Sequence, residues 1–124
     1  MLSDQDSQDL RRRNEIVDAT ERGLTLQIDC REEAASWSAV TGVSAGRAKL
    51  DHNSDRWVFV LAIEIELGGE ERLFIVGEIE PVWLPLTAIL HTALPDIDAF
   101  DIWGTALATA SAPLELYTRT GGAR

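Results

Sequence analysis

Cysteine, methionine, tyrosine and lysine each occur once in these 124 residues, and histidine occurs twice. With Cys30 as the only thiol an internal disulfide is excluded, and a small buried apolar role is expected for it. No stretch approaches the roughly 18 uninterrupted apolar residues of a helical membrane span. The opening residues Met1 to Asp6 show no basic start followed by an apolar run, so a cytoplasmic protein is expected. The near-absence of lysine, Lys49 against ten arginines, matches the output of a GC-rich bacterial genome.

What the chain has in excess is acid. The formal charge is −10, and residues 61–124 hold ten acids against three bases. Such a field repels nucleic acid and anionic membrane, and suits either a basic protein surface or plain solubility. The length is that of one ordinary domain, long enough to bury about two-thirds of its unfolded surface without a metal or a staple. No internal repeat, low-complexity run or linker divides residues 1–124.

The clearest pattern runs from Trp57 to Glu80. Trp57, Phe59, Leu61, Ile63, Ile65 and Leu67 fill every odd position, while Val58, Val60, Ala62, Glu64 and Glu66 fill the even ones. This is the two-residue period of a strand. After Gly68-Gly69 the alternation resumes, with Leu73, Ile75, Gly77 and Ile79 on one side and Arg72, Phe74, Val76, Glu78 and Glu80 on the other. A two-residue Gly68-Gly69 loop would pair odd with even and set Phe59 against Glu78. A three-residue loop, Gly68 to Glu70, makes the two clean apolar faces coincide and brings Glu66 opposite Arg72, and it is the preferred reading. It leaves a mixed face of Val58, Val60, Ala62, Phe74 and Val76 beside Glu64, Glu66, Glu78 and Glu80.

Elsewhere the signals are shorter. Residues 4–22 read as a helix with Ser3 as a cap, acids near its start and Gly23 at its stop. Acids flank Arg11 to Arg13 on both sides, so intrahelical ion pairs such as Asp9 with Arg13 fit this triplet better than nucleic-acid binding. Leu24, Leu26, Ile28 and Cys30 alternate as a half-buried strand. Residues 36–50 form a long strand with Gly42 and Gly46 at a bulge or bend, returning through a turn at Asp51 to Asp55. Pro81 and Pro85 end the sheet, and Leu86, Ile89, Leu90, Ala93 and Leu94 give a short helix over 84–94. Residues 98–110 fit a helix or a strand, 114–119 alternate as a final strand, and the tail from Thr120 is expected to be disordered. The fold expected is α+β: an amino-terminal helix, a mostly antiparallel sheet of four to five strands centred on the 56–80 hairpin, and the helix near 84–94.

Chemistry-bearing motifs are scarce. Ser36, Ser38, Ser44 and Ser111 lack a Gly-x-Ser-x-Gly elbow, and Gly42 and Gly46 lack the Gly-Lys-Ser/Thr end of a phosphate loop. A transition-metal site would need His52 and His91 to meet in space. No catalytic residue, metal or cofactor is assigned. The reading that remains is a non-enzymatic binding module, of the immunity-protein, inhibitor or small-chaperone kind. It would offer Val58, Val60, Glu64, Glu66, Phe74, Val76, Glu78 and Glu80 to a basic toxin, effector or nucleic-acid-binding protein, with Trp83 as an exposed aromatic anchor in a proline-flanked loop. Two alternatives stay open: a small-ligand or enzymatic domain with a cavity near Trp83, His91 and Trp103, and a subunit that buries the mixed face against its own copy as a homodimer.

Asp51, Asn53 and Asp55 have the spacing that opens a calcium loop, but Arg56 stands where the turn glycine belongs and Ala62 where the bidentate glutamate belongs. Calorimetric titration with calcium or zinc near neutral pH is therefore expected to be flat. Heat fitting one site per chain, and lost in Asp51→Asn with Asp55→Asn, would contradict that reading.

Overall fold

The computed structural model describes residues 14–49, 53 and 55–119. In chain order these form β1 (Glu15–Thr20), β2 (Gly23–Ile28), β3 (Arg31–Ala35), a 3-10 turn (Trp37–Ala39), β4 (Val40–Lys49), β5 (Trp57–Leu67), β6 (Glu70–Gly77), α1 (Trp83–Ala93), α2 (Phe100–Ala108) and β7 (Leu114–Thr118). One sheet has the order β1-β2-β3 and the other β6-β5-β4-β7, with every neighbouring pair antiparallel.

This corrects the expected architecture. The chain is a mostly β, α+β-like structure with two sheets in place of one, and its described helices follow β6 rather than preceding the strands. Residues 15–20, assigned to the amino-terminal helix, are strand β1. The reason is a bulge: the register shifts between Ile16 and Asp18, so the buried residues of β1, Ile16 and Ala19, stand three apart and imitate a helical stripe. Gly23 does not stop a helix but opens β2, where a Cβ would lie 2.3 Å from the Ala35 carbonyl oxygen. Residues 3–13, the tail from Thr120, and Asp51, His52 and Ser54 of the expected turn lie outside the described residues.

The hairpin register is the second correction. β5 and β6 pair as Leu67 with Glu70, Ile65 with Arg72, Ile63 with Phe74 and Leu61 with Val76, so the loop is the two-residue Gly68-Gly69 and not the three-residue form. Both glycines have positive φ, +59° and +87°, the left-handed backbone that a two-residue hairpin turn of matching twist needs at both positions. Phe74 and Val76 consequently face inward and are fully buried, whereas Leu73, Ile75 and Ile79 are exposed. Glu66 lies opposite Glu71, not Arg72, and Arg72 pairs instead with Glu70 at 3.4 Å.

Both sheets and both helices close on one apolar cluster. Leu24, Leu26 and Ile28 enter it from β2, Val43 and Ala45 from β4, Leu61, Ile63 and Ile65 from β5, and Leu86 and Leu90 from α1. An aromatic group fastens the helices to β5: Phe100 meets Trp103 at 4.8 Å, Trp83 at 6.0 Å and Phe59 at 6.2 Å between ring centroids, all edge to face. Residues 98–110, open between helix and strand in sequence, thus supply a helix with Trp103 and Leu107 inward. Cys30 is not a core residue. It is exposed in the Asp29-Cys30 turn between β2 and β3, with φ of 71°.

The two registers make opposite claims about neighbouring residues. Phe74→Ala is expected to cost about 3–5 kcal/mol in chemical denaturation, and Ile63→Asp to unfold the chain by burying an unpaired charge. Leu73→Ser and Glu64→Gln should each shift stability by less than roughly 0.5 kcal/mol. A larger loss for Leu73→Ser than for Phe74→Ala would restore the three-residue loop.

Candidate functional site

Because side chains alternate along a strand, the observed register separates the mixed face into two. Val60, Ala62, Glu64 and Glu66 of β5 point outward together with Glu71, Leu73 and Ile75 of β6, and across the strands Ala62 meets Ile75 and Glu64 meets Leu73. Leu73 is 54% exposed and Ile75 50% exposed. They form an apolar centre on a sheet face whose hairpin end carries Glu64, Glu66 and Glu71. β4 contributes only small side chains to this face, with Gly42 opposite Glu64, Ser44 opposite Ala62 and Gly46 opposite Val60.

The residues singled out from sequence therefore divide. Val60, Glu64 and Glu66 lie on the outward face. Phe74 and Val76 lie in the core, and Val58 is buried as well. Glu78 and Glu80 serve the backbone: the Glu78 carboxylate accepts the Phe59 N–H at 2.9 Å while the Glu78 N–H donates to the Phe59 carbonyl at 2.9 Å, and the Glu80 carboxylate accepts the Gly77 N–H at 2.9 Å. Trp83 is not a loop anchor. It is the first residue of α1, 3% exposed, with its ring against Phe100 and Trp103. Pro85, the third residue of that helix, lies within its first turn, where the missing N–H has no intrahelical partner to lose. His91 is exposed on α1, apart from the packed pair of Trp83 and Trp103.

Like charges directly opposite in a sheet are destabilising, and Glu66 facing Glu71 is such a pair. Arg119, just past β7, offsets part of it. Its guanidinium reaches Glu66 at 3.2 Å and also donates to the Ser38 carbonyl, tying the chain after β7 to β5 and to the 3-10 turn.

The apolar pattern of the sequence puts Leu73 and Ile75 in the core, and it does not single out a second feature at the far end of β4. There Trp57 is 54% exposed, with Arg47 at 6.0 Å and Lys49 at 5.8 Å from its ring centroid. Arg47 also donates to the carbonyls of Ala108 at 3.3 Å and Ala110 at 2.7 Å, binding the carboxyl end of α2 to the sheet. Two bases flanking one aromatic across the turn were the available signal.

Among the described residues no group of three or more His, Cys, Asp or Glu is placed to hold a metal ion, and no helix is long and apolar enough to cross a membrane. Compared with protein-family models, curated proteins and solved structures, the chain matches none.

Of the four tryptophans, Trp37, Trp83 and Trp103 are buried and Trp57 alone is exposed. Acrylamide quenching of the native fluorescence is expected to fall largely in Trp57→Phe. Undiminished quenching in that variant would show that another indole is open to water.

Proposed function

We propose that this chain is a cytoplasmic, non-enzymatic binding module of the immunity-protein, inhibitor or small-chaperone kind, and that its contact surface is the outward face of the four-stranded sheet. The observation that carries the reading is the pair of half-exposed aliphatic residues Leu73 and Ile75 in the middle of a sheet face, bordered by Glu64, Glu66 and Glu71. An apolar centre with a charged rim is the division found in protein interfaces. The residues that would supply the apolar centre are thus Leu73, Ile75 and Val60, in place of the buried Phe74 and Val76. A basic partner surface complements the rim. Stacking two copies of this face would bring the acids of both copies together, which favours a different, basic protein over a second copy.

Rim charge mainly sets the rate of encounter, whereas the buried apolar centre sets the lifetime. With the partner captured from the native host and immobilised, Glu64→Lys with Glu71→Lys is expected to slow association about tenfold at low salt and to flatten its salt dependence. Leu73→Ser with Ile75→Ser should speed dissociation about tenfold or more without lowering the melting temperature. If light scattering instead shows a dimer that these changes convert to monomer, the face serves self-association. If none of the changes alters partner binding or oligomeric state, the proposal falls.

A further inference from the structure

The four-stranded sheet has two register shifts among its described residues, and both fall beside Gly42. In β4 the pairing with β5 slips between Val40 and Gly42. In β7 the pairing with β4 passes from Tyr117 to Glu115, which leaves Leu116 as the extra residue of a bulge. That bulge changes what β7 offers. In a regular strand Glu115 and Thr118 would point to opposite faces, whereas here both stand on the outward face, Glu115 beside Ser44 and Thr118 beside Gly42. The Thr118 hydroxyl donates to the Glu115 carboxylate.

On the other side of β4 stands Glu64, directly opposite Gly42. With no side chain at Gly42 to hold it off, the Glu64 carboxylate leans over the strand, so far that a Cβ on Gly42 would lie 2.8 Å from Glu64 Oε1. The carboxylates of Glu64 and Glu115 thus flank a cleft of roughly 310 Å³, with Gly42 and Ser44 as its floor and Leu73 as its apolar side. That volume is at the lower end of ligand-sized clefts. Neither acid makes an ion pair among the described residues, in contrast to Glu66, which holds Arg119. Because β5 and β7 stand two strand spacings apart, about 10 Å, a side chain entering from above can sit between the two acids.

We infer that this cleft takes one arginine side chain of the partner, its guanidinium held between Glu64 and Glu115 and its methylene stem against Leu73. This rests on the proposed contact role of the same sheet face and narrows the partner's basic surface to a single residue. Arginine fits better than lysine for a geometric reason. A planar guanidinium carries N–H donors on opposite edges and can bond two carboxylates that face each other across a gap, whereas an ammonium is a strongly hydrated point charge. Two carboxylates left unpaired beneath a docked partner would oppose binding, so the partner has to bring a cation to this point.

The test is selection from displayed random segments of about seven residues, an extended length sufficient to cross the four strands, followed by affinity measurement on the full chain and its variants. Enriched segments are expected to share an arginine whose replacement by lysine lowers affinity at least about tenfold. Glu115→Gln, which keeps an acceptor for Thr118, should likewise cost about tenfold, with the melting temperature unchanged. Glu71→Gln removes an equal charge from the same face outside the cleft and should cost less than about twofold. Gly42→Ala, whose methyl group displaces the Glu64 carboxylate, should also weaken the arginine-bearing segments. Equal losses for Glu71→Gln and Glu115→Gln, or segments that bind as well with lysine, would overturn the arginine cleft and leave the acidic face standing. Failure to enrich any arginine-bearing segment would overturn it too, and the partner kinetics of Leu73→Ser with Ile75→Ser would still report on the face itself.

Discussion

The turn at Gly68-Gly69 decides more of this molecule than any other two residues. A two-residue hairpin loop pairs odd positions of β5 with even positions of β6, and the loop closes in that form because both glycines take positive φ at no steric cost. The parity it sets puts Phe74 and Val76 into the core opposite Ile63 and Leu61. It also turns Leu73 and Ile75 to the outside. The proposed contact face is therefore a consequence of backbone conformation in the turn, and a single added residue there would exchange the inner and outer sets of β6.

Apolar pattern alone ranks the opposite register higher, because Leu73, Ile75 and Ile79 form the cleaner set. Turn chemistry decides the parity instead: Gly68 and Gly69, both at positive φ, close a two-residue turn whose twist matches that of the strands, and that turn pairs odd with even positions. Where pattern and local geometry agree, the chain is legible. β2, the bulge at Gly42 in β4, α1 and β7 lie where alternation or helical spacing puts them. β1 and β3 are not legible for separate reasons. The bulge in β1 spaces its buried residues like a helix. In β3, Arg-Glu-Glu-Ala-Ala has almost no apolar content, since an edge strand is protected by charge rather than marked by it.

The acids likewise differ in what they do. Glu78 and Glu80 hold the carboxyl end of β6 through backbone N–H groups, a local role that a plain alternation of charge does not reveal. Glu66 and Glu71 oppose each other across strands, a conflict only partly relieved by Arg119. Local rules broken at one point of an otherwise consistent sheet mark where a surface has a use beyond folding. That conflict sits at the acidic end of the face proposed to meet a partner.

Pairing between β4 and β7 joins Gly42 to Thr118 across more than half the chain. During synthesis β5 and β6 can close within microseconds of leaving the ribosome, since their turn is local, whereas β4 remains an open edge until residues 114–118 have emerged. At roughly 5–20 residues per second that interval lasts seconds. Through it the young hairpin exposes aliphatic residues on both faces, and the glutamates along β5 and β6 then act as gatekeepers against the association of nascent chains.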